Sequence, residues 1–181
     1  FRDGGADIFL MYADGTGEVN LTNTPGWDFN PTWSPDGASI AFQSERDGNS
    51  EIYVVDVATG EQTRLTDNQL FDGSPEWSPD GQQILFHSDR DETGRDGNFE
   101  IYVMGTDGSN PTNLTNNSRP DQNPDWSPDG SQIAFEARPF GEFTHIFVMN
   151  PDGSGQTNVS NNSFVDRDPA WSPDGNRIAF V

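Results

Sequence analysis

The chain has 181 residues, and its 30 acidic against nine basic side chains give a formal charge of −21. All nine basic residues are arginine, so no basic patch can form for a nucleic-acid backbone or an anionic membrane surface. Cys is absent, which excludes disulfides, thiol catalysis and Cys-ligated zinc, while five Trp and 13 Phe are too many for a disordered acidic tail.

Along the chain, Ile8-Phe-Leu-Met is the first predicted strand, and Leu21-Thr22 is a second, shorter one after an Asp-Gly turn. Asp28, Pro31 and Trp33 then lead into a Ser34-Pro-Asp-Gly37 turn and the strand Ile40-Ala-Phe. Residues 46–55, Arg-Asp-Gly-Asn-Ser-Glu-Ile-Tyr-Val-Val, carry a loop and a further strand, and Leu65-Thr66 closes the unit. The succession returns at Trp77, Trp126 and Trp171, at spacings of 44, 49 and 45 residues. Each Trp has a Pro two positions upstream (Pro31, Pro75, Pro124, Pro169) and an Asp five positions upstream (Asp28, Asp72, Asp121, Asp166). Four strands recur: A through the Trp, B at Ile-Ala-Phe, C at Ile-Tyr-Val-Met and D at Leu-Thr. No stretch holds a helical period, and no apolar run is long enough to span a membrane.

Such repeats predict an all-β fold, a β-propeller of four-stranded antiparallel blades. Four blades' worth of strands are present, the chain entering at strand C and leaving after strand B. Residues 1–181 are thus a single propeller domain or propeller segment: a half blade at 1–24, blades at 25–68, 69–117 and 118–162, and a half blade at 163–181 that can pair with 1–24. The phasing also allows a larger ring or a homo-oligomer. The chain begins with Phe1, which reads as a processed, trimmed or partial chain whose targeting signal is not visible.

The pattern Asp-x-x-Pro-x-Trp-Ser-Pro-Asp-Gly, then Ile-Ala-Phe, then Arg-Asp-Gly-Asn-x-Glu-Ile-Tyr-Val-Met resembles the WD40-like β-propeller repeat of the TolB family, PD40, over the whole chain. That resemblance implies an exported protein, periplasmic or extracellular, with a non-catalytic propeller that recognises a protein or envelope partner. Family members include a periplasmic protein whose propeller docks onto a peptidoglycan-associated lipoprotein, and related repeats gate prolyl-oligopeptidase-type hydrolases. Two alternatives stay open: an assembly subunit completing a larger ring, and a gating propeller for a hydrolase outside this chain. No nucleophile elbow, P-loop or dinucleotide fingerprint is present.

The Ser-Pro-Asp-Gly segments are expected as A-to-B turns, and the four repeat Trp rings as packing between neighbouring blades. Trp27 lies outside the repeat pattern, in a D-to-A loop. With Phe71, Phe140, Phe143 and His145 it is a candidate binding residue. His145 stands where other B-to-C loops have Asp or Glu. Asp28, Asp72, Asp121 and Asp166 precede strand A, which lines the channel in the family, so four carboxylates would converge at one channel mouth. A cation there would be a hard one, calcium before magnesium; the alternative is that each Asp caps its own loop. A weaker calcium pattern lies in the longest B-to-C loop, at Asp89, Asp91, Thr93 and Glu100.

Overall fold

The computed structural model describes residues 5–90, 98–139, 141 and 143–181. Among them are β strands and turns, with no helix long and apolar enough to cross a membrane. Three four-stranded antiparallel sheets follow one another along the chain. Sheet I holds β3 (Asp28–Trp33), β4 (Ser39–Ser44), β5 (Glu51–Asp56) and β6 (Gln62–Arg64). Sheet II holds β7 (Asp72–Trp77), β8 (Gln83–Ser88), β9 (Glu100–Gly105) and β10 (Thr112–Asn113). Sheet III holds β11 (Asp121–Trp126), β12 (Ile133–Ala137), β13 (His145–Met149) and β14 (Thr157–Asn158). In each, hydrogen bonding follows sequence order. Two-stranded sheets flank them: β1 (Phe9–Leu10) with β2 (Val19–Asn20), and β15 (Ala170–Trp171) with β16 (Ile178–Ala179).

The hairpins form where the turn chemistry demands. In each Ser-Pro-Asp-Gly turn the glycine N–H donates to the serine carbonyl, as Gly37 does to Ser34 at 2.9 Å. The serine hydroxyl donates to the turn aspartate, which also accepts the N–H two residues on: Ser34 at 2.6 Å and Ala38 at 3.0 Å onto Asp36. Gly37, Gly81, Gly130 and Gly175 share φ of 70°, 69°, 70° and 68°, which explains a glycine at every copy. These bonds hold the Asp36, Asp80 and Asp174 carboxyls below the usual range, led by the serine hydroxyl, and bring Asp129 to about 2, led by the Ser131 N–H. The turn aspartates therefore serve their own turns.

Apolar cores lie between sheets. Trp77 of sheet II packs with Ala41 and Ile52 of sheet I, and Trp126 of sheet III packs with Leu85, Ile101 and Leu114 of sheet II. Ile8 of the first half sheet joins Ile40, Phe42 and Tyr53 of sheet I. Two of the four repeat Trp rings are buried as expected, at 8% and 6% exposure for Trp77 and Trp126. The expectation fails for Trp33, which is 49% exposed. Its neighbouring sheet has only β1 and β2, with no strand equivalent to β4 for the ring to rest on.

Strands β3, β7 and β11 each carry a bulge at the X-Pro step, where the register shifts between Phe29 and Thr32, Gly73 and Glu76, and Gln122 and Asp125. Proline has no N–H for a ladder, and the preceding Asn30, Ser74, Asn123 and Asp168 take φ of 52°, 49°, 49° and 52°. Trp126→Ala is expected to lower stability by about 3–5 kcal/mol in urea unfolding, and Trp33→Ala by only about 0.5 kcal/mol. Equal losses would contradict the assigned packing.

Candidate functional site

Loops from D to A and from B to C emerge at the same end of the sheets, because the first residue of each inner strand pairs with the last of its neighbour: Asp28 with Ser44, Asp72 with Ser88, Asp121 with Ala137. At this end the inner-strand aspartates are buried. Their backbone N–H groups cross to the preceding sheet's loop: Asp28 to Ala6 O at 2.8 Å, Asp72 to Ser50 O at 2.9 Å, Asp121 to Phe99 O at 2.7 Å and Asp166 to Thr144 O at 2.9 Å.

Their carboxylates have protein partners. Arg46 reaches Asp28 at 3.2 Å and Arg90 reaches Asp72 at 2.9 Å. Asn68 and Asn117 donate to Asp72 and Asp121 at 2.5 and 2.6 Å, and His145 Nδ1 lies 3.3 Å from Asp166. Burial raises the Asp72 carboxyl despite Arg90, and brings Asp121 to about 7, with the nearby Glu100 charge adding to the effect. Bonds from Ser160, Asn162 and His145 outweigh desolvation at Asp166 and lower it. Among the described residues no three His, Asp or Glu side chains are grouped to hold a metal ion. Asp28 and Asp72 are instead neutralised by arginine.

The loop pattern read as a second calcium candidate is divided. Asp91 and Thr93 lie outside the described residues. Asp89 accepts from the Phe71 N–H at 2.8 Å, and buried Glu100 accepts from Asn98, Thr115 and the Asn117 N–H.

The candidate binding residues separate into exposed and structural groups. Trp27 is 42% exposed and tilts against Phe29, with ring centroids 6.3 Å apart; Phe143 is 51% exposed. Phe164 and Val165, in the loop before Asp166, are also exposed, and sequence reasoning passed over them. Phe71 is partly buried, stacked on His87 at 5.5 Å and 4°, with Phe99 edge-on to both. Burial lowers His87 to about 4, so the ring is neutral, and its Nδ1 accepts the Asn123 N–H at 3.3 Å. His145 is buried against Asp166. Phe140 lies outside the described residues.

A cavity of about 360 Å³ is bounded by β3, β7, β11 and β15, with Asn30, Thr32, Ser74, Glu76, Asn123 and Asp125 on its wall. The position before each repeat Trp (Thr32, Glu76, Asp125 and Ala170) contributes to it; its changing chemistry was the available sequence signal. Glu76 accepts from Thr32 Oγ1 at 3.0 Å, Asp125 accepts the Trp171 N–H at 2.6 Å, and Ser74 donates to Asn123 Oδ1 at 3.0 Å. Burial, with Asp125 adding charge, raises Glu76 to about 7, and burial raises Asp125 as well. The wall thus sets acidic and amide side chains beside the four prolines Pro31, Pro75, Pro124 and Pro169.

Glu76 has an ordinary value of 4.5 and holds its proton more tightly in the folded state. Its ionisation therefore lowers stability progressively between about pH 4.5 and 7, and the loss is complete above that window. Glu76→Gln is expected to raise stability by about 1–3 kcal/mol at pH 8, with little change at pH 4, in melts across the pH range. An unchanged pH slope would contradict this.

Comparison with known proteins adds the following. A family model described as PD40, TolB beta propeller domain, matches residues 1–95 and 92–181. A protein TolB homolog of Chlorobium luteolum is 43% identical over 44 residues, 24% of this chain and 10% of that one. A solved putative TolB from Agrobacterium tumefaciens superposes with a TM-score of 0.78 at 26% identity, over 99% of this chain and 68% of its own. TolB from Acinetobacter baumannii gives 0.78 and 26%, over 93% of this chain and 41% of its own. The chain thus spans a tenth of the curated relative and between about two fifths and two thirds of these structures.

Proposed function

We propose, from the premise that the chain belongs to the TolB beta propeller domain family, that it is a non-catalytic binding domain. Its partner is a protein of the cell envelope, met at the end where the D-to-A and B-to-C loops emerge, in the periplasm or outside the cell. The observation that carries this reading is the exposure of Trp27 and Phe143 in those loops, in a family-typical fold. Large aromatics held at a rigid surface supply contact area at low entropic cost. The charge of −21 favours a basic partner surface and speeds its approach. Calcium is not needed in this reading, because arginine neutralises Asp28 and Asp72.

The test is capture from an envelope extract on immobilised protein, with Trp27→Ala/Phe143→Ala as the comparison. Capture of a discrete protein by the wild type, lost in the double variant at unchanged Tm, is the expected result. Equal capture by both, or none by the wild type, would contradict the reading.

A second reading concerns assembly, and a specific observation favours it. A cleft of about 560 Å³ lies between β13–β14 and β15–β16, lined by Ile146, Val148, Val159, Ile178 and Phe180 among others. In sheets I and II the strand after the equivalent of β16 is strand C, and β1 is a strand of that kind, with Phe9 and Met11 exposed. The two half sheets together hold the four strands of one blade, which would make four blades per chain. By the register of sheet I, where Ala41 faces Val54, Ala179 would face Leu10. The chain has no Cys, so Leu10→Cys/Ala179→Cys reports the pairing cleanly. A disulfide within one chain indicates closure on itself, one between chains indicates a homo-oligomer, and no disulfide on mild oxidation contradicts the pairing.

A further inference from the structure

Sheets I and II each hold an arginine in the same seat. In sheet I, Arg46 donates through Nε to Ser44 Oγ at 2.8 Å, through Nη1 to Gln62 Oε1 at 2.6 Å and through Nη2 to Asp28. Its guanidinium lies 5.5 and 4.3 Å from the Phe42 and Tyr53 ring centroids. In sheet II, Arg90 repeats this with Ser88 at 3.1 Å, Asp72 Oδ1 at 2.9 Å, and Phe86 and Tyr102 at 4.8 and 4.9 Å. The seat therefore consists of a buried carboxylate, an aromatic pair on strands B and C, and hydrogen-bond acceptors beside them. It opens at its outer end, since the side chains of Arg46 and Arg90 keep 13% and 17% exposure.

Sheet III retains this seat without its arginine. Aligned on Phe42, Phe86 and Phe135, the position of Arg46 and Arg90 is Pro139, and that of Ser44 and Ser88 is Ala137. The carboxylate remains: Asp121 is 1% exposed and accepts Asn117 on Oδ2, as Asp72 accepts Asn68. Asp121 Oδ1, the counterpart of the atom that receives Arg90, is buried with no hydrogen-bond partner. The aromatic pair also remains, with Phe135 and Phe147 centroids 5.9 Å apart. Phe147 is partly exposed, whereas Tyr53 and Tyr102, beneath their arginines, are buried. Gln156 stands at the position of Gln62, and both amides reach the preceding sheet, at Leu114 O and Leu21 O.

Among the described residues, nearby charges do not fill the seat. Glu100 is acidic and raises Asp121, while Arg119 acts on it through space and has its Nε on Asn117 Oδ1 at 3.3 Å. Arg138 joins the loop by its backbone N–H, bonded to Pro120 O at 3.1 Å. Thr115 lies beside Asp121 but gives its hydroxyl proton to Glu100.

We propose that Asp121, Phe135, Phe147 and Gln156 form a receptor for one arginine side chain supplied by a protein partner. A guanidinium suits it because a planar cation stacks on an aromatic face while donating from its edge to a carboxylate, whereas a lysine ammonium has no plane to stack. The preceding sheets show that this fold accepts that geometry twice. The proposal deepens the partner-binding reading by naming the chemistry the partner presents.

The test uses N-acetyl-arginine amide as probe, with N-acetyl-lysine amide as control, and reads Tm and binding by titration. A saturable Tm rise of a few degrees with the arginine probe, at least severalfold weaker with lysine, is expected. Asp121→Asn should abolish the response, and Phe147→Leu should weaken it severalfold. Ala137→Ser/Pro139→Arg, which supplies the arginine in the chain, should melt higher than wild type and no longer respond. No response in the wild type, or an equal one in wild type and Asp121→Asn, would overturn the receptor. Capture by Trp27 and Phe143 is measured separately, so failure of this probe leaves that reading standing.

Discussion

A buried aspartate at the head of every inner strand is the constraint on which the arrangement of sheets depends. Its backbone N–H bonds to a carbonyl of the preceding sheet at Asp28, Asp72, Asp121 and Asp166. That bond fixes where each new sheet begins against the last, and the tryptophan five residues on can then pack across the boundary, as Trp77 and Trp126 do. A carboxylate so placed loses its hydration and must be neutralised or protonated. The chain meets this requirement differently at each copy: arginine at Asp28 and Asp72, hydrogen bonds led by Ser160 and Asn162 at Asp166, and a burial-raised carboxyl beside Asn117 at Asp121. The repeats agree where the fold is specified and diverge where charge is balanced.

That divergence separates the legible from the illegible in the sequence. The turns were legible because Ser-Pro-Asp-Gly encodes its own hydrogen bonds locally. The four-strand units followed from the period, and sheets I to III bear them out. The burial of Trp77 and Trp126 was legible too, but the exposure of Trp33 was not, since it depends on which strands the adjacent sheet contributes. The carboxylates before strand A are legible as a fourfold recurrence of charge, which leaves a shared cation and the capping of each loop both open. The arginine partners of two of them, Asp28 and Asp72, lie 18 residues downstream at Arg46 and Arg90, and pairing across a strand boundary has no local signature. His145 had drawn notice for breaking the loop pattern; its role becomes plain only when Asp166 is seen beside it.

The two surfaces offered by the fold differ in chemistry. The cavity between the inner strands sets acidic and amide groups, hydrogen-bonded to one another, beside prolines, with Glu76 brought to about 7 by burial. The loop end carries exposed aromatics, Trp27 and Phe143, above a layer of neutralised buried charge. Recognition through such a surface uses aromatic contact for affinity and the overall negative field for encounter. Arginine is also the sole basic residue type the chain uses internally, and it stacks on the same aromatic pairs that the third sheet retains.

A double-mutant cycle on Asp72 and Arg90, read as unfolding free energy at neutral pH, tests most directly how the buried aspartate is neutralised. Asp72→Asn and Arg90→Gln should each cost about 3–5 kcal/mol, because each leaves a buried partner behind, and the pair together little more than either alone. Losses that simply add, or singles near zero, would show that Arg90 does not neutralise the buried aspartate at the head of the strand.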